Sequence, residues 1–228
     1  AHFTFHPSNY LRSFREFPAE GPIPAEEARA TRHGYLACTS YIDALVGQVL
    51  QSLEETGERE NTIVLFTSDH GYHLGDHGLW SKHTTFEIAT RVPLLIAGPG
   101  IEREKGTTAL VELVDLFPTL CDLAGLSKPD HLEGQSFASV LRAPSKPART
   151  AAFSEFTRKG ATGYSIRTAD YRYTAWRRAR DGRLLAEELY DHRSDPLETQ
   201  NVSNEDSLVE TVQEHRILLD KRLGEFQP

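Results

Sequence analysis

The 228-residue chain carries a formal net charge of −8, with 39% hydrophobic and 25% charged residues. That balance excludes wholesale disorder and fits one large domain, or one domain with a small appendage. An acidic chain does not favour nucleic acid as a partner, and no apolar run approaches the roughly 20 residues that span a membrane.

Residues 1–23 are rich in aromatic residues and proline, lack a period, and read as irregular. Pro24 suits a first helical turn, and Glu26 and Glu27 suit a helix N-terminus. Tyr35, Ile42, Val46, Val49 and Leu53 follow at helical spacing and predict a long helix that ends near Gly57. Thr62 to Thr67 is a continuous apolar, β-branched run, which predicts a strand buried on both faces in a parallel sheet. Residues 68–91 are dense in Gly, His, Asp and Lys and predict a functional loop. Val92 to Ala97 predicts a second short strand, broken by Gly98-Pro99-Gly100. A helix is expected over about Leu113–Leu123, with Pro118 near its first turns.

Beyond Pro147 the pattern changes. Tyr164, Ile166 and Thr168 alternate, as do Tyr171, Tyr173 and Ala175, with Ala169-Asp170 between them as a hairpin turn. Leu189-Tyr190 predicts a further strand, and Leu208, Val212, His215, Leu219 and Leu223 return to helical spacing. The expected architecture is an α/β body over residues 1–147 and a small α+β subdomain of antiparallel strands and one helix over 148–228. Cys38 and Cys121 are too few for a disulfide framework, and both are expected to be buried, inert thiols inside helices.

The segment Ser68-Asp69-His70-Gly71-Tyr72-His73-Leu74-Gly75-Asp76-His77-Gly78 follows a predicted strand directly. Ligands of open α/β sheets gather beyond the carboxyl ends of strands. Asp69 and His70 offer an anionic oxygen and a ring nitrogen side by side, a donor pair for calcium, magnesium, zinc or manganese. The same residues also fit a turn closed by a side-chain cap, and spacing alone does not decide between the two. His73, His77 and His83 read equally well as loop histidines. Lys82 reads either as a solvated surface lysine or as a point charge for a sulfate or phosphate oxyanion. Neither a Gly-x-Ser-x-Gly elbow nor a glycine-rich phosphate loop is present.

The stretch FTSDHGYHLGDHGLWSKHTTFEIATRVP, Phe66 to Pro93, resembles the sulfatase family and within it the iduronate-2-sulfatase type. Four further blocks are similar in the same order: the helix from Asp115 ending in DLAG, EGQSF at 133–137, GYSIRTADYRYTAW at 163–176 and ELYDHRSDPLETQN at 188–201. The resemblance covers roughly residues 22–225. It implies part of an alkaline-phosphatase-like α/β sandwich that hydrolyses sulfate esters of saccharides with one bound Ca2+. It implies Asp69 and His70 as metal ligands, with His70 and Lys82 as catalytic residues. It places Lys82 on the substrate sulfate, Tyr72 and His83 along the substrate pocket, and Arg167 in structural support.

The chain departs from the family in lacking a Cys-x-Pro-Ser-Arg motif, the source of the formylglycine nucleophile; Cys38 is followed by Thr39-Ser40-Tyr41. The paired aspartates that complete the metal site are missing as well. The chain is therefore expected to be the C-terminal portion of a sulfatase, inactive alone, with the N-terminal half as partner. Periplasmic, secreted or lysosomal placement follows if a leader lies upstream. Two alternatives are a zinc- or manganese-dependent phosphatase or phosphodiesterase of the same superfamily, and a non-catalytic glycan-binding remnant.

Overall fold

A computed structural model describes residues 17–18, 21–145, 148–158 and 160–224; most of the irregular segment expected over 1–23 lies outside them. The described residues form two compact units, one within 17–83 and 91–101, the other within 84–90 and 102–224. Among the described residues, no helix is long and apolar enough to cross a membrane.

In the first unit, α1 spans Ala25–Glu55 and begins where Pro24, Glu26 and Glu27 predict. It ends at Thr56 and Gly57; the glycine's φ of 74° lets the chain turn out of the helix. Its apolar stripe exists, but this unit does not cover it: Ile42 is 53% and Val49 69% exposed. Cys38, expected to be buried, is exposed on the same helix. Helical spacing shows which residues share a face, not whether anything packs on that face.

Strand β1, Val64–Thr67, pairs with β4, Leu94–Ala97, in register Val64↔Ala97 to Thr67↔Leu94. The pair is antiparallel, which corrects the expected parallel arrangement. A continuous apolar run predicts burial but not direction. The connection, residues 68–93, is long enough for a crossover but is taken up by a two-residue hairpin, β2 (His73–Leu74) on β3 (Trp80–Ser81), and the short helix Glu87–Thr90. Burial on both faces fails too, since Phe66 is 43% and Leu95 60% exposed.

The second unit holds α2 (Glu87–Thr90), α3 (Leu116–Ala124), α4 (Ala138–Arg142), strands β5 (Ala152–Arg158), β6 (Ala161–Arg167), β7 (Tyr171–Arg178) and β8 (Leu184–Asp191), and helix α5 (Val209–Gly224). The four strands form an antiparallel meander in sequence order. The predicted hairpin is β6–β7, closed by the Thr168 N–H donating to the Tyr171 carbonyl at 2.8 Å. One sheet face, formed by Ile166, Tyr173, Ala175 and Leu189, packs on Val212 and Leu219 of α5 and makes the core.

Asp115, buried ahead of α3, joins three segments. Its carboxylate accepts from the Glu112 and Gln135 backbone N–H groups at 2.9 and 2.7 Å and pairs with Arg149. Thr119 Oγ1 accepts from the Phe137 N–H at 3.0 Å. This seats the 133–137 segment so closely that a Cβ on Gly134 would lie 2.0 Å from the Val114 carbonyl oxygen. Gly134→Ala is expected to lower stability by about 3 kcal/mol in urea unfolding, because backbone rather than a flexible side chain must move. Gly106→Ala meets open space and serves as control, within about 0.5 kcal/mol of the parent; equal effects of the two would sink the close-approach argument.

Candidate active site

The site is built at the carboxyl end of β1. Ser68 Oγ donates to the His70 carbonyl at 2.8 Å, a local turn that throws Asp69 outward. His70 Nδ1 lies 2.9 Å from the Gly71 carbonyl oxygen. A carbonyl only accepts, so Nδ1 carries the hydrogen and Nε2 presents a lone pair. Asp69 Oδ2 is 3.2 Å and Lys82 Nζ 2.6 Å from that Nε2. The β2–β3 hairpin accounts for Lys82's arrival. It pairs His73 with Ser81 and Leu74 with Trp80, so the residue after β3 returns to the start of the loop.

The structure thus brings Asp69, His70 and Lys82 together. Tyr72 packs toward α1, its ring 5.3 Å from the Tyr35 ring. His83 is exposed beside Lys82. His73 is fully buried and sits edge-on to His77, their centroids 5.9 Å apart. The loop is conformationally costly. His77 and Ser81 hold φ of 56° and 79° without being glycine, at about 1–3 kcal/mol each.

Asp69 Oδ2 and His70 Nε2 suit a divalent cation as two adjacent donors, the imidazole in the Nδ1–H tautomer; the Nε2 lone pair accepts from Lys82 in this structure and would have to be given up to the ion. They fit one corner of a coordination shell; calcium takes six to eight ligands, mainly oxygen. Lys82 brings a positive charge within hydrogen-bond reach of the same nitrogen, and an ammonium can serve an oxyanion as a point charge.

A second group of potential ligands lies in the other unit, where Glu87, His192 and Glu198 place ligand atoms within 4.8 Å of one another. Its carboxylates are already satisfied by cations. Arg172 Nε is 2.6 Å from Glu198 and its Nη2 pairs with Glu87, while Arg167 Nε is 3.3 Å from Glu87. A metal would have to displace a buried guanidinium, so the group is read as an ion-pair network. Arg167 belongs to it rather than to the Asp69–His70–Lys82 trio. Sequence reasoning missed Glu87, Arg172, His192 and Glu198, which come from three segments far apart in the chain.

Residues 1–126 match the sulfatase family model, and residues 75–226 match the model of the N-sulphoglucosamine sulphohydrolase C-terminal region. Among curated relatives, iduronate 2-sulfatase of Mus musculus is 35% identical over an alignment covering 81% of this chain and 46% of that protein. A putative sulfatase from Bacteroides thetaiotaomicron superposes with a TM-score of 0.80 at 32% identity, over 89% of this chain and 44% of that one. A protein solved with its substrate D-glucosamine-2-N,6-O-disulfate gives a TM-score of 0.75 at 32% identity, over 82% and 39%. A phosphonate monoester hydrolase of Agrobacterium radiobacter gives 0.77 at 29% identity, over 88% and 43%. The chain spans less than half the length of these proteins.

Proposed function

The chain belongs to the sulfatase family and shares its alkaline-phosphatase-like fold, and from that premise we propose that it supplies the C-terminal part of an iduronate-2-sulfatase-type sulfuric ester hydrolase acting on sulfated saccharides. The observation that carries the reading is the convergence of Asp69, His70 and Lys82 at the end of β1, with 3.2 and 2.6 Å separating their polar atoms. In this reading Asp69 and His70 hold one calcium ion, together with ligands this chain does not contain. The ion supplies charge stabilisation to a bound sulfate. Lys82 holds a sulfate oxygen and stabilises the charge that grows on it as the ester bond breaks. Tyr72 and His83 face the sugar. Residues 1–147 are then part of the catalytic α/β domain and 148–228 its small subdomain.

The nucleophile must come from elsewhere, since no cysteine here stands in a formylglycine motif. The partner proposed is the N-terminal half of a sulfatase. The apolar face of α1 and the exposed Phe66 and Leu95 of the β1–β4 pair are surfaces it would cover. A phosphoryl-transfer reading draws on the phosphonate hydrolase neighbour and predicts zinc or manganese in place of calcium.

The test is co-expression of this chain with a formylglycine-bearing N-terminal half of an iduronate-2-sulfatase-type relative. The chain alone is expected to show no turnover of an aryl sulfate or a sulfated disaccharide, and the pair is expected to hydrolyse both and to lose activity on calcium chelation. Turnover by the chain alone that survives Lys82→Ala would refute the reading. A pair that forms and binds sulfated glycan without turnover would favour the remnant instead.

A further inference from the structure

The loop that carries Tyr72 and Lys82 bends through four residues of positive φ within seven positions: Gly75, His77, Gly78 and Ser81. Two of these bear side chains, and such conformations persist only where the surroundings over-determine them. The two-residue ladder of β2 and β3 is too short to do so alone. Hydrogen bonds within the turn, such as the Gly75 N–H to the Leu79 carbonyl at 2.9 Å and the Leu79 N–H to the Asp76 carbonyl at 2.8 Å, hold its tip, and α1 braces the hairpin from a single stripe. Ala28, Arg32 and Tyr35 lie four and three residues apart, so they share one face of the helix.

All three touch the loop, two of them at Trp80. Ala28, buried, packs against Trp80. Arg32 Nε donates to the Leu74 carbonyl at 2.7 Å, and its guanidinium lies 5.4 Å from the centre of the Trp80 ring. The Tyr35 ring meets Tyr72 at 5.3 Å with a 31° tilt. Gly75 completes the seat: a Cβ there would fall 2.5 Å from Arg32 Nη2 and 3.3 Å from the Trp80 ring, and its φ is 109°. One planar group therefore holds both strands of the hairpin, β2 through a hydrogen bond and β3 through a ring. Lys82 follows β3 directly.

We propose that Arg32 and Tyr35 are positioning residues, a two-point clamp by which α1 fixes the hairpin presenting Lys82 and the ring of Tyr72. Its bearing on sulfate recognition rests on the role given to Lys82 above. Lysine is no substitute for Arg32. The Nε–H aimed at Leu74 and the flat face over Trp80 belong to one rigid group, whereas an ammonium serves one contact at a time. At Tyr35 the contact is made by the ring, so phenylalanine preserves it.

The chain carries two tryptophans, Trp80 in this loop and Trp176 in β7, and each reports on a different unit. The full chain, labelled with 5-fluorotryptophan, gives two fluorine resonances, assigned with Trp80→Phe. Arg32→Ala and Arg32→Lys are each expected to move or broaden the Trp80 resonance and to leave that of Trp176 in place. Amide exchange over residues 72–83 is expected to quicken about tenfold in Arg32→Ala and to hold its parental rate over 171–178. Tyr35→Ala quickens exchange around Tyr72, and Tyr35→Phe restores it. A Trp80 resonance and loop exchange unchanged by Arg32→Ala overturn the clamp. So does equal acceleration over 171–178, which reports a general loss of stability, and so does an Arg32→Lys chain that matches the parent. Sodium sulfate titrated against the Trp80 resonance is a separate arm. A parent chain indifferent to sulfate refutes the role given to Lys82, while the exchange rates still decide the clamp.

Discussion

Glu198→Gln is expected to lower the stability of the C-terminal unit by about 3 kcal/mol and to remove much of its sensitivity to acid. Glu198 is 1% exposed and accepts from the Glu87 backbone N–H at 2.6 Å, from Arg172 Nε at 2.6 Å and from His192 Nε2 at 2.7 Å. Glutamine keeps the shape but not the charge, which leaves the 3%-exposed Arg172 with Glu87 as its remaining carboxylate. A buried ion with too little counter-charge is among the few single changes that cost this much.

Burial pushes the Glu198 carboxyl up. The Arg172 charge, the His192 and Glu87 hydrogen bonds and the Arg172 hydrogen bond outweigh it and hold the group below its ordinary value of 4.5. A depressed folded-state value means that the contribution is fully present above the unfolded-state value and is lost as pH falls through the folded one. The parent should therefore lose stability as pH drops below about 4.5, and Glu198→Gln should be flatter there. Urea unfolding at pH 6 and pH 3, followed by Trp176 fluorescence, checks both statements. An unchanged slope with pH would place the acid sensitivity in other carboxylates. Arg172→Met, which leaves the buried Glu198 carboxylate beside the part-buried Glu87 without the guanidinium between them, should be worse than Glu198→Gln at neutral pH and recover relative to the parent in acid.

Helix α1, the β6–β7 hairpin and α5 were legible in the sequence because each carries its pattern within one continuous stretch of chain. Strand direction was not, because the direction of β1 against β4 is set by what lies between them rather than by the strands. β5 was missed for a different reason. In Ala-Phe-Ser-Glu-Phe-Thr-Arg the phenylalanines stand three apart, so they fall on opposite faces and break the alternation. The candidate site divides in the same way. Asp69 and His70 are neighbours in sequence and were visible as a pair. Lys82 is brought back by a hairpin too short to leave a periodic signature. The Arg172 network, built from three segments, becomes visible only once β6 to β8 are folded against α2. The expectation of a buried Cys38 failed because an apolar neighbourhood along a helix was taken for a packed one.

In the co-expressed pair, Lys82→Ala is expected to reduce kcat/KM for a sulfated saccharide about 10²–10³-fold, the usual loss on removing one donor aimed at developing negative charge. The side chain is part-buried, and its ammonium stands 2.6 Å from His70 Nε2, the nitrogen assigned to the metal. In the proposed reading a bound ion takes over that nitrogen and an anion lies between the ion and the ammonium. A sulfate oxygen supplies that charge, and the demand grows as the ester bond breaks, so the loss should fall mainly on kcat. Lys82→Arg keeps the charge on a longer, planar group that cannot converge on the same point, and should recover only part of the rate. Asp69→Asn separates this role from that of the metal ligands. It should weaken calcium binding measured by calorimetry, whereas Lys82→Ala should leave calcium affinity within a few-fold of the parent or raise it by removing a competing charge. If Lys82→Ala left kcat/KM within twofold of the parent, the lysine would be a partner of His70 alone, and the oxyanion would have to be held by groups outside this chain.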